Sequence, residues 1–465
     1  MNKYLVLVNK ENKLKESYLK GMKLIPLKDI NNKEIFLEET TAKAYKKLQT
    51  FLKKKEIEIG IDSGYRTIEY QQKLKEKFIN QYGEDYTNKV VAVPGNSEHH
   101  TGLAIDLSIK INNEYDKDNK EIKSHIKKYE EIVPYLAQHG FILRYPKDKE
   151  DITGYSYEPW HIRYVGKIPA TIMYENNLTM EEYLKNFSAI LYINKPSGIT
   201  SFDVVNEISH IFGIKRVGHT GTLDPLAEGV LIVTVGPATK IAELLTAEDK
   251  EYEAGILLGI ETDTLDITGK VLKSKPVDLS KDIEKVVNSY QKTYMQEVPI
   301  YSAIKVNGKK LYEYARSGKD IKLPKKEVTI KDIKLLSSDN DTFIIKTLVT
   351  KGCYIRSLIR DIGKSLDTYA TMTTLVRTKQ GKIDINETNT IEEIKVGKGK
   401  LHKIDEVLDF PTIIVEEDLE IKIKNGMKLP NEYGITDKVI FKNKFNKILG
   451  IYKVEKDILR VWKNF

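Results

Sequence analysis

Two runs of this chain carry residue types that can hold an ion or move a proton. In Ser97-Glu98-His99-His100-Thr101-Gly102-Leu103-Ala104-Ile105-Asp106, the tail from Leu103 to Ile109 alternates like a strand and puts Gly102, Ala104 and Asp106 on one face. Two small residues beside a carboxylate leave space for an ion. In Glu158-Pro159-Trp160-His161, Pro159 argues against a helix, and His161 opens the strand-like segment His161-Ile162-Arg163-Tyr164-Val165. His99, Asp106 and His161 make two imidazoles and one carboxylate, the ligand set of a catalytic zinc. Such a set leaves the fourth tetrahedral position for water, which zinc acidifies to a pKa of about 7, and Glu158 is close enough in sequence to act as general base. Taken singly, each histidine reads first as structural, and Asp106 as a residue capping a turn after its strand.

A second run, Gly218-His219-Thr220-Gly221-Thr222-Leu223-Asp224-Pro225, sets one carboxylate in a glycine-punctuated loop closed by a proline. Gly218 and Gly221 permit backbone angles closed to other residues, and Pro225 restricts the residues before it, so Asp224 is presented by a fixed loop as a candidate nucleophile. The local alternative is an Asx-turn, for which Asp before Pro is also suited.

The elements that must position these groups follow from pattern. Leu191 to Lys195 reads as a strand, Pro196-Ser197-Gly198 as a turn, and Thr200 or Ser201 as the cap of a helix. Gly229 to Gly236 is a buried strand, and Asp249 to Ala254 enters another that carries Tyr252. Glu297-Val298-Pro299-Ile300-Tyr301 and Lys351-Gly352-Cys353-Tyr354-Ile355-Arg356 come later. Beyond Pro411, short alternating segments such as Val439-Ile440-Phe441 and Lys447 to Val454 predict a small β domain.

With 465 residues and 40% hydrophobic content the chain has room for roughly three domains of about 150 residues each. A single cysteine, Cys353, excludes a disulfide framework and fits a reducing compartment. Tyr4-Leu5-Val6-Leu7-Val8 is too short for a signal-peptide core, and no stretch could span a membrane, so the expected location is the cytoplasm, with no membrane partner. The net charge of +8 divides into +3 up to Asn186 and +5 beyond it, neither basic enough to establish nucleic-acid binding. Lysine runs such as Lys53-Lys54-Lys55 and Lys325-Lys326 read as solvated faces.

Five of the eight histidines fall before Asn186. The joint pattern there, Ser-x-His-x-x-Gly-x-Ala-x-Asp followed by Glu-x-x-His, with Ser63-Gly64-Tyr65-Arg66 upstream, resembles the zinc D,D-carboxypeptidase and D-Ala-D-Ala dipeptidase family of bacterial cell-wall metabolism. The resemblance runs from Leu7-Val8-Asn9-Lys10 to about Leu184. It implies that His99, Asp106 and His161 are zinc ligands, Glu158 the base, Arg66 the cation that meets the substrate carboxylate or the oxyanion, and Ser97 a substrate-binding residue. His100 lies outside the ligand pattern, as a neighbour of the ligands or a surface residue. Many relatives carry an export signal; this sequence shows none, so the implied substrates are free D-Ala-D-Ala, soluble wall precursors ending in it, or recycled wall peptides.

From Ala189 onward the five motifs quoted above, in this order, resemble the bacterial tRNA pseudouridine(55) synthase family, most specifically up to Arg377. The resemblance implies that Asp224 is the catalytic aspartate, Tyr252 the aromatic stacked on the target base, Arg356 the partner that keeps Asp224 ionised and aimed, His219 the side chain filling the space the uridine leaves, and Leu375 a substrate-binding residue. Lys195-Pro196 and Lys240 match as well, as structural or phosphate-facing residues. Ile300 stands where relatives often place a second proline, and the likeness of the last segment to the RNA-binding domain that often ends these synthases is weak.

The expected fold is α+β: a zinc D,D-peptidase-like α+β domain over 1–186, a mixed α/β-sheet synthase domain over 189–410, and a small β-rich, RNA-binding domain over 411–465. The short join Lys185-Asn186-Phe187-Ser188 lacks the composition of a long flexible linker. The expected cofactor is Zn2+ for the first domain and none for the synthase; the expected partners are tRNA and a peptide or dipeptide ending in D-Ala-D-Ala, with no obligate protein partner. Two other readings fit the same residues: a first domain that is a catalytically silent binding or structural module, and a second half acting chiefly as an RNA-binding or RNA-folding factor.

Overall fold

The structure, a computed structural model, describes residues 2–116 and 119–465. It divides into two compact units, one of residues 1–187, 208–215 and 395–397, the other of 188–207, 216–394 and 398–465. Among the described residues, no helix is long and apolar enough to cross a membrane.

After a 3-10 turn (Lys3–Leu5) and a short helical segment (Glu16–Lys20), the first unit carries a hairpin, β1 (Leu24–Lys28) and β2 (Glu34–Glu38), followed by α1 (Glu39–Lys53). Glu38 caps α1, its carboxylate accepting from the backbone N–H of Thr40 and Thr41 at 2.8 and 3.0 Å. Ala42, Tyr45, Leu48 and Leu52 recur at helical spacing and are buried. They pack on an antiparallel sheet of β3 (Ile59–Ser63), β4 (Ala104–Ile111), β5 (Phe141–Leu143) and β6 (His161–Tyr164), in the order β3-β4-β6-β5. β4 is central, and its period of two divides its work: Ile105, Leu107 and Ile109 enter the apolar core, while Ala104 and Asp106 lie on the other face.

The second unit is built on a large mixed sheet. Its strands are β7 (Ala189–Lys195), β8 (Val217–His219), β9 (Glu228–Val235), β10 (Lys250–Leu258), β11 (Thr293–Glu297), β12 (Lys325–Asp339), β13 (Thr342–Val349), β14 (Ala370–Gln380) and β15 (Ile383–Asp384). The spatial order is β11-β12-β13-β10-β14-β9-β7, with β8 on β9 and β15 on β14. Within this sheet, among the described residues, only β9 and β14 pair in parallel, through Glu228 with Val376 and Gly229 with Arg377. Helix α2 (Ser201–Phe212) follows β7, and α3 (Ile355–Ser365), with Leu358, Ile359 and Ile362 buried, packs on β14.

Beyond Pro411, β16 (Thr412–Val415), β17 (Leu429–Pro430), β18 (Lys438–Asn443), β19 (Ile448–Glu455) and β20 (Ile458–Asn464) form a five-stranded sheet in the order β16-β18-β19-β20-β17. Ile440 and Ile451 of this sheet share an apolar core with Ile190, Val230 and Ile232 of the large one. The α+β architecture and the β-rich C-terminal segment are thus as the sequence patterns indicate.

Candidate active sites of the two units

Strand register brings the first site together. Asp106 pairs with His161 across β4 and β6, and with Ser63 across β3 and β4, so residues distant in sequence meet over two strand spacings. His99 comes from a single 3-10 turn, Glu98–Thr101, ended by Gly102 at φ +66°. His99 Nε2 lies 3.2 Å from Asp106 Oδ2, and His161 Nδ1 lies 3.0 Å from Asp106 Oδ1. One ligand atom from each of the three fits within 4.8 Å of the others. Nδ1 of His99 donates to the Gly64 carbonyl at 2.6 Å, which leaves Nε2 as the lone-pair atom facing the cluster.

Among the described residues, Asp106 Oδ1 is buried without a hydrogen-bond partner, although His161 Nδ1 is 3.0 Å away. Convergent acceptor atoms at such separations fit a tetrahedral zinc, whose ligand bonds of about 2.0–2.1 Å place neighbouring donors roughly 3.3 Å apart. The residues present therefore suit the ion. Without one, burial lowers His99 to a pKa of about 4, while Asp106, with Glu98, raises His161 to about 9 against the effect of its burial. Asp106 is held well below the usual carboxylate range by His99 and Arg66, which outweigh its burial.

A cavity of about 370 Å³ opens onto this cluster and is lined also by Arg66, Ser97, Glu158 and Trp160. Glu158 Oε2 is 3.7 Å from His161 Nδ1, and burial raises its carboxyl to about 7. Arg66 donates from Nη2 to Asp106 Oδ2 at 2.6 Å and from Nε to Ser63 Oγ at 2.9 Å. Its own peptide is braced by His100, which is buried: Nδ1 donates to the Arg66 carbonyl at 2.7 Å, and Nε2 accepts from Gly95 N–H at 3.0 Å. The structure thus places His100 behind the cluster, not at the surface.

The second site centres on the loop between β8 and β9. Asp224 Oδ2 lies 2.8 Å from Arg356 Nε. Arg356, at the start of α3, spends its other donors on backbone carbonyls, Nη1 on Thr264 at 2.8 Å and Nη2 on Tyr301 at 3.0 Å, which fixes the guanidinium plane. Burial raises the Asp224 carboxyl above its ordinary value, and Arg356 opposes that rise without cancelling it. The expectation that Arg356 simply favours the ionised form meets this larger desolvation effect.

A cavity of about 270 Å³ is lined by Asp224, Tyr252, Tyr301, Tyr354, Arg356 and Leu375. His219 lies outside that lining, at the end of β8, where its Nδ1 accepts from Gly221 N–H at 3.3 Å and burial lowers its pKa. Lys195 is structural: fully buried, it donates to the carbonyls of Pro196, Ile199 and Pro225 at 2.8, 2.7 and 3.3 Å. Lys240 donates to the Asn464 carbonyl.

Residues 209–355 match the family model of TruB family pseudouridylate synthase (N terminal domain), and residues 34–167 that of VanY, D-alanyl-D-alanine carboxypeptidase. The chain is 42% identical over 254 residues to tRNA pseudouridine synthase B of Caldanaerobacter subterraneus subsp. tengcongensis, covering 54% of this chain and 89% of that protein. The chain belongs to the tRNA pseudouridine synthase B family. The synthase B of Fusobacterium nucleatum is 39% identical over 280 residues, covering 58% of this chain and 96% of the relative. Among solved structures, a mutant of the vancomycin-resistance D,D-pentapeptidase VanY in complex with Zn(II) is 32% identical and is covered over 99% of its length by 39% of this chain, with a TM-score of 0.34. This synthase B family member therefore carries a VanY-like segment ahead of its synthase region, the fusion that the motifs indicate.

Some residues of both sites escaped the sequence reading. In the VanY-like unit these are Glu98, Arg144, Arg163 and Glu181, a chain of alternating charge behind His161, buried except for half-buried Glu181. Glu98 stands between two quoted residues, Ser97 and His99, which was the available signal. In the synthase unit Tyr301 and Tyr354 were quoted within motifs without a role, and both line the cavity with Tyr252.

Proposed function

We propose that the second unit isomerises uridine to pseudouridine in the T-loop of tRNA, with Asp224 as the catalytic carboxylate. The observation that carries this reading is the pairing of Asp224 with Arg356 inside a cavity of about 270 Å³ whose wall includes Tyr252. A uridine in a folded loop must leave its stack to be reached, and an aromatic face recovers stacking worth about 1–3 kcal/mol per base. Within the cavity the bond from uracil N1 to the ribose C1′ breaks and one from C5 to C1′ forms; C5 loses a proton and N1 gains one, so the product is an isomer and no cofactor is consumed. Asp224 attacks the sugar or the base during that exchange, Arg356 aims it, Tyr252 stacks on the base, Leu375 packs against the bound nucleotide, and His219 fills the space the base vacates in the RNA. Asp224→Asn assayed on a T-loop substrate tests this: pseudouridine formation should vanish while tRNA is still bound. Retained activity would refute it, and loss of a separate RNA-folding role in the same variant would count against the RNA-factor reading.

For the first unit we propose a zinc-dependent peptidase acting on D-Ala-D-Ala or on peptides that end in it. The convergence of His99, Asp106 and His161 at the floor of a cavity supports it. Zinc held there would acidify a water and polarise the scissile carbonyl. Glu158 holds the proton taken from the attacking water and returns it to the leaving amine, a task its raised pKa suits. Arg66, a planar cation on the same cavity, meets the substrate carboxylate or the developing oxyanion, and Ser97 contacts the substrate. D-alanine release from D-Ala-D-Ala and from a soluble pentapeptide precursor, with zinc loaded and stripped and with Glu158→Ala as control, tests the reading and separates it from a silent module. Domain limits of 1–186, 189–410 and 411–465, the last RNA-binding, and a cytoplasmic location complete the proposal.

A further inference from the structure

We infer that Glu98 is a positioning residue that decides which nitrogen of His161 is free for a metal, and that Arg144 and Arg163 hold Glu98 to that task. The inference rests on the metal-site reading of His99, Asp106 and His161. Glu98 is buried in the turn just before His99. Its Oε1 accepts from Arg144 Nε at 2.8 Å and from Arg163 Nη1 at 2.6 Å. Both guanidinium groups are fully buried and anchored elsewhere. Arg144 makes two bonds to Glu181, at 3.0 and 2.6 Å, and Arg163 Nη2 donates to the carbonyls of Tyr4 and Val6 at 3.2 and 2.9 Å. The Glu98 carboxylate cannot turn without breaking two charge-assisted bonds.

What this clamp leaves over is the informative part. Among the described residues, Glu98 Oε2 is buried without a hydrogen-bond partner, and so is His161 Nε2, which faces it at 3.6 Å. At that distance the two atoms are not yet bonded, but each is the polar neighbour the other lacks, and a small rotation of the imidazole closes the gap. An ionised carboxylate only accepts, so the proton belongs on Nε2. Nδ1 then carries the lone pair, and Nδ1 is the atom 3.0 Å from Asp106 Oδ1. Metal-bound histidines commonly donate their second N–H to a carboxylate or a backbone carbonyl, which fixes both tautomer and ring orientation. His99 uses the carbonyl of Gly64 and His161 the carboxylate of Glu98, so the two rings are held as opposite tautomers. A buried charge needs compensation, and the two arginines supply it.

The test is the zinc dissociation constant of the full-length protein, measured by chelator competition near neutral pH, for wild type, Glu98→Gln and Glu98→Asp. In Glu98→Gln the amide oxygen takes the two guanidinium donors and the amide N–H turns toward His161 Nε2. That nitrogen must then accept, and the proton moves to Nδ1. Glu98→Asp keeps the charge between the arginines but withdraws the oxygen facing the ring. Zinc affinity should fall about 10- to 100-fold in both, further in the glutamine variant. A folded variant, verified by circular dichroism, that binds zinc as tightly as wild type would overturn the inference. If Glu98→Gln does not fold, Glu98→Asp decides alone. A wild type that binds no zinc would overturn the metal-site reading and this inference with it, a result distinct from equal affinity in all three proteins.

Discussion

Asp106 and Asp224 are both carboxylates beside a guanidinium, yet their surroundings drive them in opposite directions. Around Asp106 two histidines and Arg66 outweigh burial and keep the charge on. Around Asp224 burial wins over Arg356, and the carboxyl sits above its ordinary value. If Asp224 acts as an ionised nucleophile, its active fraction falls as pH is lowered through that raised value. The single-turnover rate of pseudouridine formation should therefore drop at a higher pH than a free aspartate, with a pKa of about 3.9, would give. Replacing Arg356 by Met removes the opposing charge, so the midpoint should move up further while the plateau rate also falls. A pH profile of both proteins checks the sign; a midpoint that moves down in Arg356→Met would contradict the electrostatic account. Residue types and pattern named Asp224, His99, Asp106 and His161 as candidates, while Arg356 entered only through the resemblance to the synthase family. Glu98 was not legible in the same way, since what distinguishes it is the pair of buried arginines it meets from 46 and 65 positions away.

At the scale of elements, the Asp224 loop is held from both sides of its carboxylate. Ser201, at the start of α2, accepts from Leu223 N–H at 2.9 Å and lies 3.1 Å from the Leu223 carbonyl, and Lys195 at the end of β7 reaches Pro225. The strand, turn and helix legible from Leu191 to Val205 thus brace a loop about twenty residues further on. Ser201→Ala leaves Leu223 without these partners in a buried setting, a cost of about 1–3 kcal/mol, and should lower kcat more than it raises KM for tRNA, with Ser201→Thr recovering part of the loss. Steady-state kinetics beside a thermal melt distinguishes this from general unfolding. The glycines on either side of the loop divide unexpectedly. Gly218 sits within β8 in an ordinary conformation, and an added Cβ would meet nothing nearer than Thr234 Oγ1 at 3.6 Å. Gly229, at φ +99°, would bring a Cβ to 2.3 Å from the Arg377 carbonyl, where β9 and β14 pair in parallel. Gly218→Ala should be tolerated and Gly229→Ala should cost on the order of 3 kcal/mol, read as a fall in melting temperature. Sequence pattern shows that glycines punctuate this loop. That Gly229 answers to a neighbouring backbone depends on Arg377, 148 residues away, and pairing of that range leaves no mark in local periodicity.

For the whole molecule, the two sites draw on separate residues: the cluster of His99, Asp106 and His161 lies in the first unit, and Asp224, Tyr252 and Arg356 lie in the second. The two proposed chemistries also ask for different things, an ion in one case and only side chains in the other. Treating the full-length protein with a zinc chelator should therefore abolish D-alanine release and leave pseudouridine formation unchanged, because no residue of the Asp224 cavity belongs to the metal set. Asp224→Asn should do the reverse. The two assays on one preparation give a reciprocal pattern if the activities are independent. Thermodynamic coupling would instead be reciprocal in binding: if D-Ala-D-Ala changed the affinity for tRNA by some factor, tRNA would change the affinity for D-Ala-D-Ala by the same factor. Measuring each ligand's affinity with the other saturating decides the matter. If neither affinity changes, the two units bind their ligands independently, and a matched pair of shifts means that D-Ala-D-Ala binding and tRNA binding report on each other through the protein.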